Sequence, residues 1–122
     1  MSFKDYQDKH REIENTEPKK ATRHDTGKLR FDLIPAYATE QVARVFTNGA
    51  VKYGDRNWEK GMNWSRVIAS LKRHLNSFEQ GEDIDLESGL LHTAHIATNA
   101  LFLVEYSKIY KEGDDRSYKI KN

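Results

Sequence analysis

Residues 73–99 read RHLNSFEQGEDIDLESGLLHTAHIATN, and the division of this stretch decides the fold. Apolar residues recur at helical spacing before Gly81 and after Ser88, whereas Glu82-Asp83-Ile84-Asp85-Leu86-Glu87 between them is an acidic connection. Two helices joined by an acidic bend are therefore expected. On the second helix His92, His95 and Asn99 fall at i, i+3 and i+7 and share one face. Arg73 and His74 precede the bend, so the hairpin concentrates imidazoles and carboxylates in a small volume.

Working outward, the first of these helices is predicted from Trp64 or Ser65 to Glu79. Asn63 or Ser65 caps it, and Val67, Ile68, Leu71, Leu75 and Phe78 form its apolar stripe, with His74 within or beside that stripe. Gly81 ends it. Ser88 is the expected cap of the second, which runs from Gly89 to about Lys111 and is mostly enclosed, because Leu91, Ala94, Thr98, Leu101, Phe102 and Glu105 form a row that Leu90, Ala97 and Val104 widen. Another helix starts at Pro35, continues through Ala38, Val42, Val45 and Phe46, and stops at Asn48-Gly49. Gly49 to Asn63, rich in glycine, aromatics and cations, reads as a long irregular loop of the kind that carries function. From Asp25 to Pro35 the alternation of Lys28, Arg30 and Asp32 with Leu29, Phe31 and Leu33 predicts an extended segment. The fold class is all-α: a small bundle of three to four helices with an extended N-terminal segment and a long Gly/aromatic loop. Residues 1–24 form a charged arm with a short helix over Phe3 to Glu14, mobile or docked on a partner subunit. Residues 25–112 form the domain, and 113–122 a frayed polar tail.

The 122 residues suit one domain. With 20 basic and 19 acidic side chains, a net charge of +1 argues against a nucleic-acid polymer as partner and for a small ligand. Cysteine is absent, which excludes disulfides and thiolate metal sites and fits a cytoplasmic protein. The sequence shows neither a signal peptide nor a membrane span. Helices of this length in so small a chain leave apolar surface uncovered, so a homo-oligomer is expected.

His92, His95 and Asn99 sit on an otherwise apolar helix, where an unpartnered polar group costs about 1–3 kcal/mol. Either a structural network satisfies them, or the imidazoles ligate a divalent metal or donate to a phosphate. Glu79, Glu82, Asp85 and Glu87 are hard oxygen donors of the kind Mg²⁺ or Mn²⁺ takes, although an acidic bend is commonly just solvated. Candidate metal ligands are His74, Glu82, Asp85, His92 and His95. Candidate phosphate contacts are Lys28, Arg30, Lys52, Arg56 and Arg73, with the arginines favoured for their bidentate geometry. Tyr53 and Trp58 offer flat surfaces for a base, Asn57 and Asn99 hydrogen bonds, and Trp64 reads as core. Neither a nucleophile motif nor a Walker or dinucleotide loop occurs, which argues against covalent catalysis.

Asp25-x-Gly27-Lys28-x-Arg30-x-Asp32-Leu33-Ile34-Pro35, Gly49-Ala50-x-Lys52-Tyr53-Gly54-x-Arg56-Asn57-Trp58-x-x-Gly61, Arg73-His74 and Gly81-Glu82-Asp83-x-Asp85-x-Glu87-Ser88-Gly89-Leu90-x-His92-x-x-His95, with Asn99, together resemble the N-terminal domain of the bacteriophage dATP/dGTP diphosphohydrolase family. The resemblance spans about Asp25 to Glu105. It implies cleavage of a purine deoxynucleoside triphosphate to the monophosphate and pyrophosphate with a divalent metal, by a domain akin to the all-helical MazG-type pyrophosphohydrolases. Those enzymes hold Mg²⁺ through carboxylates on facing helices. Here His92, His95 and Asn99 stand before Ala100-Leu101-Phe102, where MazG-type enzymes place a Glu-x-x-Asp pair.

Under hydrolysis, Glu79, Glu82, Asp85 or His92 would take the proton from the attacking water. A second reading keeps the ligand site without turnover, as a phage protein that sequesters a nucleotide or a defence nucleotide signal. A third is an oligomeric accessory protein whose polar network only fixes helix register.

Overall fold

The computed structural model describes residues 2–9, 20–118 and 120. The chain forms two units, Met1–Ile34 and Pro35–Asn122. In the first, α1 spans Phe3–Lys9; the rest of the helix expected to reach Glu14 lies outside the described residues. Asp25 to Lys28 make a tight turn closed by the Lys28 N–H on the Asp25 carbonyl, with Gly27 at φ +81° where a side chain would clash. The extended segment expected next is instead a 3-10 turn over Phe31–Leu33. Arg30 chelates Asp32 through Nε and an Nη, at 2.8 and 2.6 Å, and this local pair curls the backbone. Leu29, Phe31 and Leu33 stay exposed, so no sheet or core rewards the alternating pattern.

The second unit is built from three long helices, α2 (Ala36–Tyr53), α3 (Trp64–Glu79) and α4 (His92–Ile109), with α4 packed on both of the others. Its class is all-α. The one sheet among the described residues is a two-residue hairpin, β1 (Ile84–Asp85) with β2 (Leu90–Leu91), antiparallel with Ile84 opposite Leu91.

Asn48-Gly49 does not stop α2. The helix runs on to Tyr53 and ends at Gly54, whose φ of +94° and N–H bond to the Ala50 carbonyl make it the real terminus. The expected loop therefore shrinks to residues 54–63 and contains its own 3-10 turn, Asn57–Lys60. At the end of α3 the Glu82 N–H reaches the Ser77 carbonyl and the Gly81 N–H the Phe78 carbonyl. With Gly81 at φ +93°, this is a Schellman stop.

The start of α3 is capped from elsewhere. Asn63 makes no side-chain cap; Asp115 instead accepts the Ser65 N–H at 2.8 Å and its hydroxyl at 2.6 Å. Arg116 lies over the Trp64 ring at 5.1 Å. Residues expected to fray thus dock on the helix. Trp64, Val67 and Tyr106 are the core, with Trp58, Met62, Phe102, Leu103 and Tyr110 packed around them. The Trp64 indole donates to the Tyr110 carbonyl and the Tyr106 hydroxyl to that of Trp58, so neither polar tip is stranded.

α4 starts at His92, three residues later than expected, because residues 89–91 belong to the hairpin. Ser88 is part of the bend, not its cap. The enclosed face keeps Ala94, Thr98 and Phe102 of the expected row but also takes in His92, Asn99 and Tyr106, while Leu101 and Val104 are exposed. The helix turns its polar stripe inward.

Candidate functional site

The inward stripe faces α3 and the bend, where three imidazoles meet. His74 Nδ1 lies 2.9 Å from His92 Nδ1, and the His74 ring stacks on that of His95 with centroids 4.3 Å and planes 3° apart. α3 supplies His74 and α4 the other two, so the helix-helix packing itself creates the group. The bend adds Asp85, whose Oδ2 accepts both the amide and the hydroxyl of Ser88, at 3.1 and 2.7 Å. Ser88 Oγ is in turn 2.8 Å from His95 Nε2. Since the Ser88 proton is committed to Asp85, His95 Nε2 carries the hydrogen in that contact, and its Nδ1 is the ring's basic nitrogen.

Electrostatics follow from this enclosure. Burial pushes His74 and His95 below the usual imidazole range, reinforced by His95 on the former and by His92 on the latter, against the pull of Asp85. Both are neutral at pH 7. Burial alone would raise Asp85, but the Ser88 hydroxyl and amide, with His95 and His74, hold it below the ordinary carboxylate value. Among the described residues His92 Nε2 is buried without a hydrogen-bond partner, the nearest carboxylate being Glu82 Oε2 at 3.7 Å. His74, Asp85 and His92 each offer a donor atom within 4.8 Å of the others.

Beside the cluster opens a cleft of about 1280 Å³ between the end of α2, the 54–63 loop, α3 and α4. Lys52, Tyr53, Arg56, Asn57, Trp58, Arg73 and Asn99 all line it, and so does His95, which is the joint between cleft and cluster. Lys52 and Tyr53 stand on the last turn of α2, not in a loop, with the ammonium 5.4 Å from the Tyr53 ring centre. Arg56 holds φ +56°, the one positive φ outside glycine among the described residues, and pairs with Glu59 at 2.9 Å. Lys52 is 3.6 Å from Glu87. Trp58 is stacked on Phe102 at 4.8 Å and edge-on to Phe46, so much of its ring is committed to packing. Tyr53, two-thirds exposed, keeps its ring available to a ligand. Asn99 donates to the His95 carbonyl and to Ser70 Oγ.

Lys28 and Arg30 belong to the first unit, where Arg30 is engaged by Asp32. Glu79 is exposed at the end of α3, in neither the cluster nor the cleft lining. Ser88 was read as a helix cap and not as a partner of Asp85 and His95, and Ser70 escaped the sequence reading. The Asp85-x-x-Ser88-Gly89 spacing, an Asx-type turn, was the signal for Ser88; Ser70 offered none.

The family model described as dATP/dGTP diphosphohydrolase, N-terminal, matches residues 18–116. The chain belongs to this family. A protein of Salmonella phage PMBT28 called dATP/dGTP diphosphohydrolase is 38% identical over 96 residues, covering 79% of this chain and 33% of that relative. The chain thus spans about a third of the relative's length. No solved structure matches. The family's N-terminal domain here contains both the imidazole cluster and the cationic cleft, since 18–116 includes every residue of each.

Proposed function

We propose that this chain hydrolyses a purine deoxynucleoside triphosphate, dATP or dGTP, to the monophosphate and pyrophosphate. The observation that carries the reading is the junction at His95: a cleft lined by Lys52, Arg56, Arg73 and an exposed Tyr53 abuts a cluster of oriented imidazoles and a carboxylate. The cations neutralise the triphosphate, Arg73 and Arg56 by paired donors and Lys52 as a point charge. Tyr53 stacks on the base. Water attacks the α-phosphorus; its oxygen forms the new bond as the bond to the bridging α–β oxygen breaks, and pyrophosphate leaves on the cationic wall. His95 Nδ1 takes the water's proton, with Ser88 and Asp85 holding the ring in the required tautomer. A divalent ion held by the adjacent cluster would add Lewis acidity toward the phosphate oxygens.

Among the described residues, no helix is long and apolar enough to cross a membrane. We place the activity in the cytoplasm of the infected host, where its substrates are dissolved. Exposed Val51, Leu86, Leu101 and Val104 support a homo-oligomer.

The test is to incubate the purified chain with each dNTP, with Mn²⁺ or Mg²⁺, and resolve products by ion-exchange chromatography in ¹⁸O water. Purine monophosphate carrying the label, plus pyrophosphate, is the expected result. Intact bound nucleotide means sequestration instead, and neither binding nor product overturns both.

A further inference from the structure

Mg²⁺ takes an all-oxygen shell and keeps much of its water, whereas the cluster on α3, the bend and α4 offers more nitrogen than oxygen. Its enclosed donors are His74, His92 and Asp85, each presenting an atom within 4.8 Å of the others. Imidazole with one carboxylate is the donor set of Mn²⁺, Fe²⁺, Co²⁺ and Zn²⁺. We propose that His74, His92 and Asp85 form a binding site for a first-row transition-metal dication and that it discriminates against Mg²⁺.

Three features argue for a ligand here over a closed polar network. The two Nδ1 atoms face each other at 2.9 Å, so without an ion one lone pair must accept the other ring's proton. A cation takes both lone pairs and displaces that proton. Once His92 Nδ1 is a ligand, its proton sits on Nε2, the atom that is buried with no partner among the described residues, and Glu82 Oε2 at 3.7 Å is the acceptor within a small movement. That is the carboxylate-histidine-metal arrangement that orients ligating imidazoles. Both Ser88 bonds fall on Asp85 Oδ2, so Oδ1 is the carboxylate oxygen these bonds leave for the metal. The ring of His95 stacked on His74 walls the site toward the cleft.

Metal binding is measured without nucleotide, so its failure and that of the hydrolase reading are separable. The full chain, stripped with a chelator, is titrated with Co²⁺ while its visible absorption is followed. One equivalent, with d–d bands typical of mixed nitrogen and oxygen ligands, is expected, with Mn²⁺ and Zn²⁺ competing and a 1000-fold excess of Mg²⁺ leaving the bands unchanged. His74→Ala and Asp85→Asn should each weaken Co²⁺ binding at least 100-fold; circular dichroism identifies any variant that misfolds, and the near-isosteric Asp85→Asn keeps the test decisive if His74→Ala does. Absence of Co²⁺ bands in the native chain, unchanged affinity in a folded variant, or displacement by equimolar Mg²⁺ overturns the proposal.

Discussion

His95 lies flat against His74, 4.3 Å away and within 3° of parallel, while the same residue lines the cleft. One ring thus belongs to both halves of the site, and it holds the other ring in place. His95→Ala should weaken Co²⁺ binding by about 10- to 100-fold, the usual cost of losing a group that orients a ligand, without abolishing it. Turnover should fall further, because the proposed base is lost as well. Equal affinities of native and variant protein in the Co²⁺ titration would contradict the coupling.

Arg73 lines the cleft with no ion pair among the described residues. A charge-assisted phosphate contact contributes about 1.5–3 kcal/mol, equivalent to a roughly 10- to 100-fold change in affinity. Arg73→Ala should raise KM for the purine nucleotide by that factor, and Arg73→Lys by less, since the bidentate geometry is lost but the charge stays. An unchanged KM in steady-state kinetics would place the triphosphate elsewhere.

Gly49 sits inside α2, and a Cβ built there meets nothing within 4 Å. Gly49→Ala should therefore stabilise the protein by about 0.5–1 kcal/mol, through reduced backbone entropy of the unfolded chain. Thermal unfolding should show a midpoint a few degrees higher. A lower midpoint would mean that α2 breaks at this position after all.

Tyr106 is fully buried and its hydroxyl donates to the Trp58 carbonyl at 2.6 Å. Tyr106→Phe should cost about 1 kcal/mol, the net worth of one such bond, whereas Tyr106→Ala should cost about 3–5 kcal/mol through the cavity left in the core. Urea unfolding separates the two. Equal costs would show that the hydroxyl, not the ring, dominates.

Asp115 accepts two bonds from Ser65, and these hold its carboxyl below the ordinary carboxylate value of 3.8. A folded-state pKa below the unfolded one means that the stabilisation is complete above about pH 3.8 and is lost as pH falls through the lowered value. Asp115→Ala should melt below the native protein at pH 7, and the gap should close on acidification below that point. A gap independent of pH would assign the effect to packing rather than to the charged cap.

Local patterning by itself determined the all-α class, the limits of α3 at Trp64 and Glu79, and the common face of His92, His95 and Asn99. Each rests on residues one or two turns apart, whose relation the 3.6-residue repeat dictates wherever the chain lies. Family membership was also readable in the scattered glycines, arginines and histidines. Tertiary structure decided the rest. Asn48-Gly49 carries a stop signal of at most about 1 kcal/mol, and α2 continues through it to Gly54, whose positive φ ends the helix. The strand-like alternation after Asp25 found neither a partner strand nor a core. The polar stripe of α4 turned inward beside Phe102 and Leu103, where His74 from α3 meets His92 and Ser88 from the bend meets His95, while Leu101 and Val104 faced out. Such pairings join residues distant in sequence, and their energy depends on distances that no local spacing encodes.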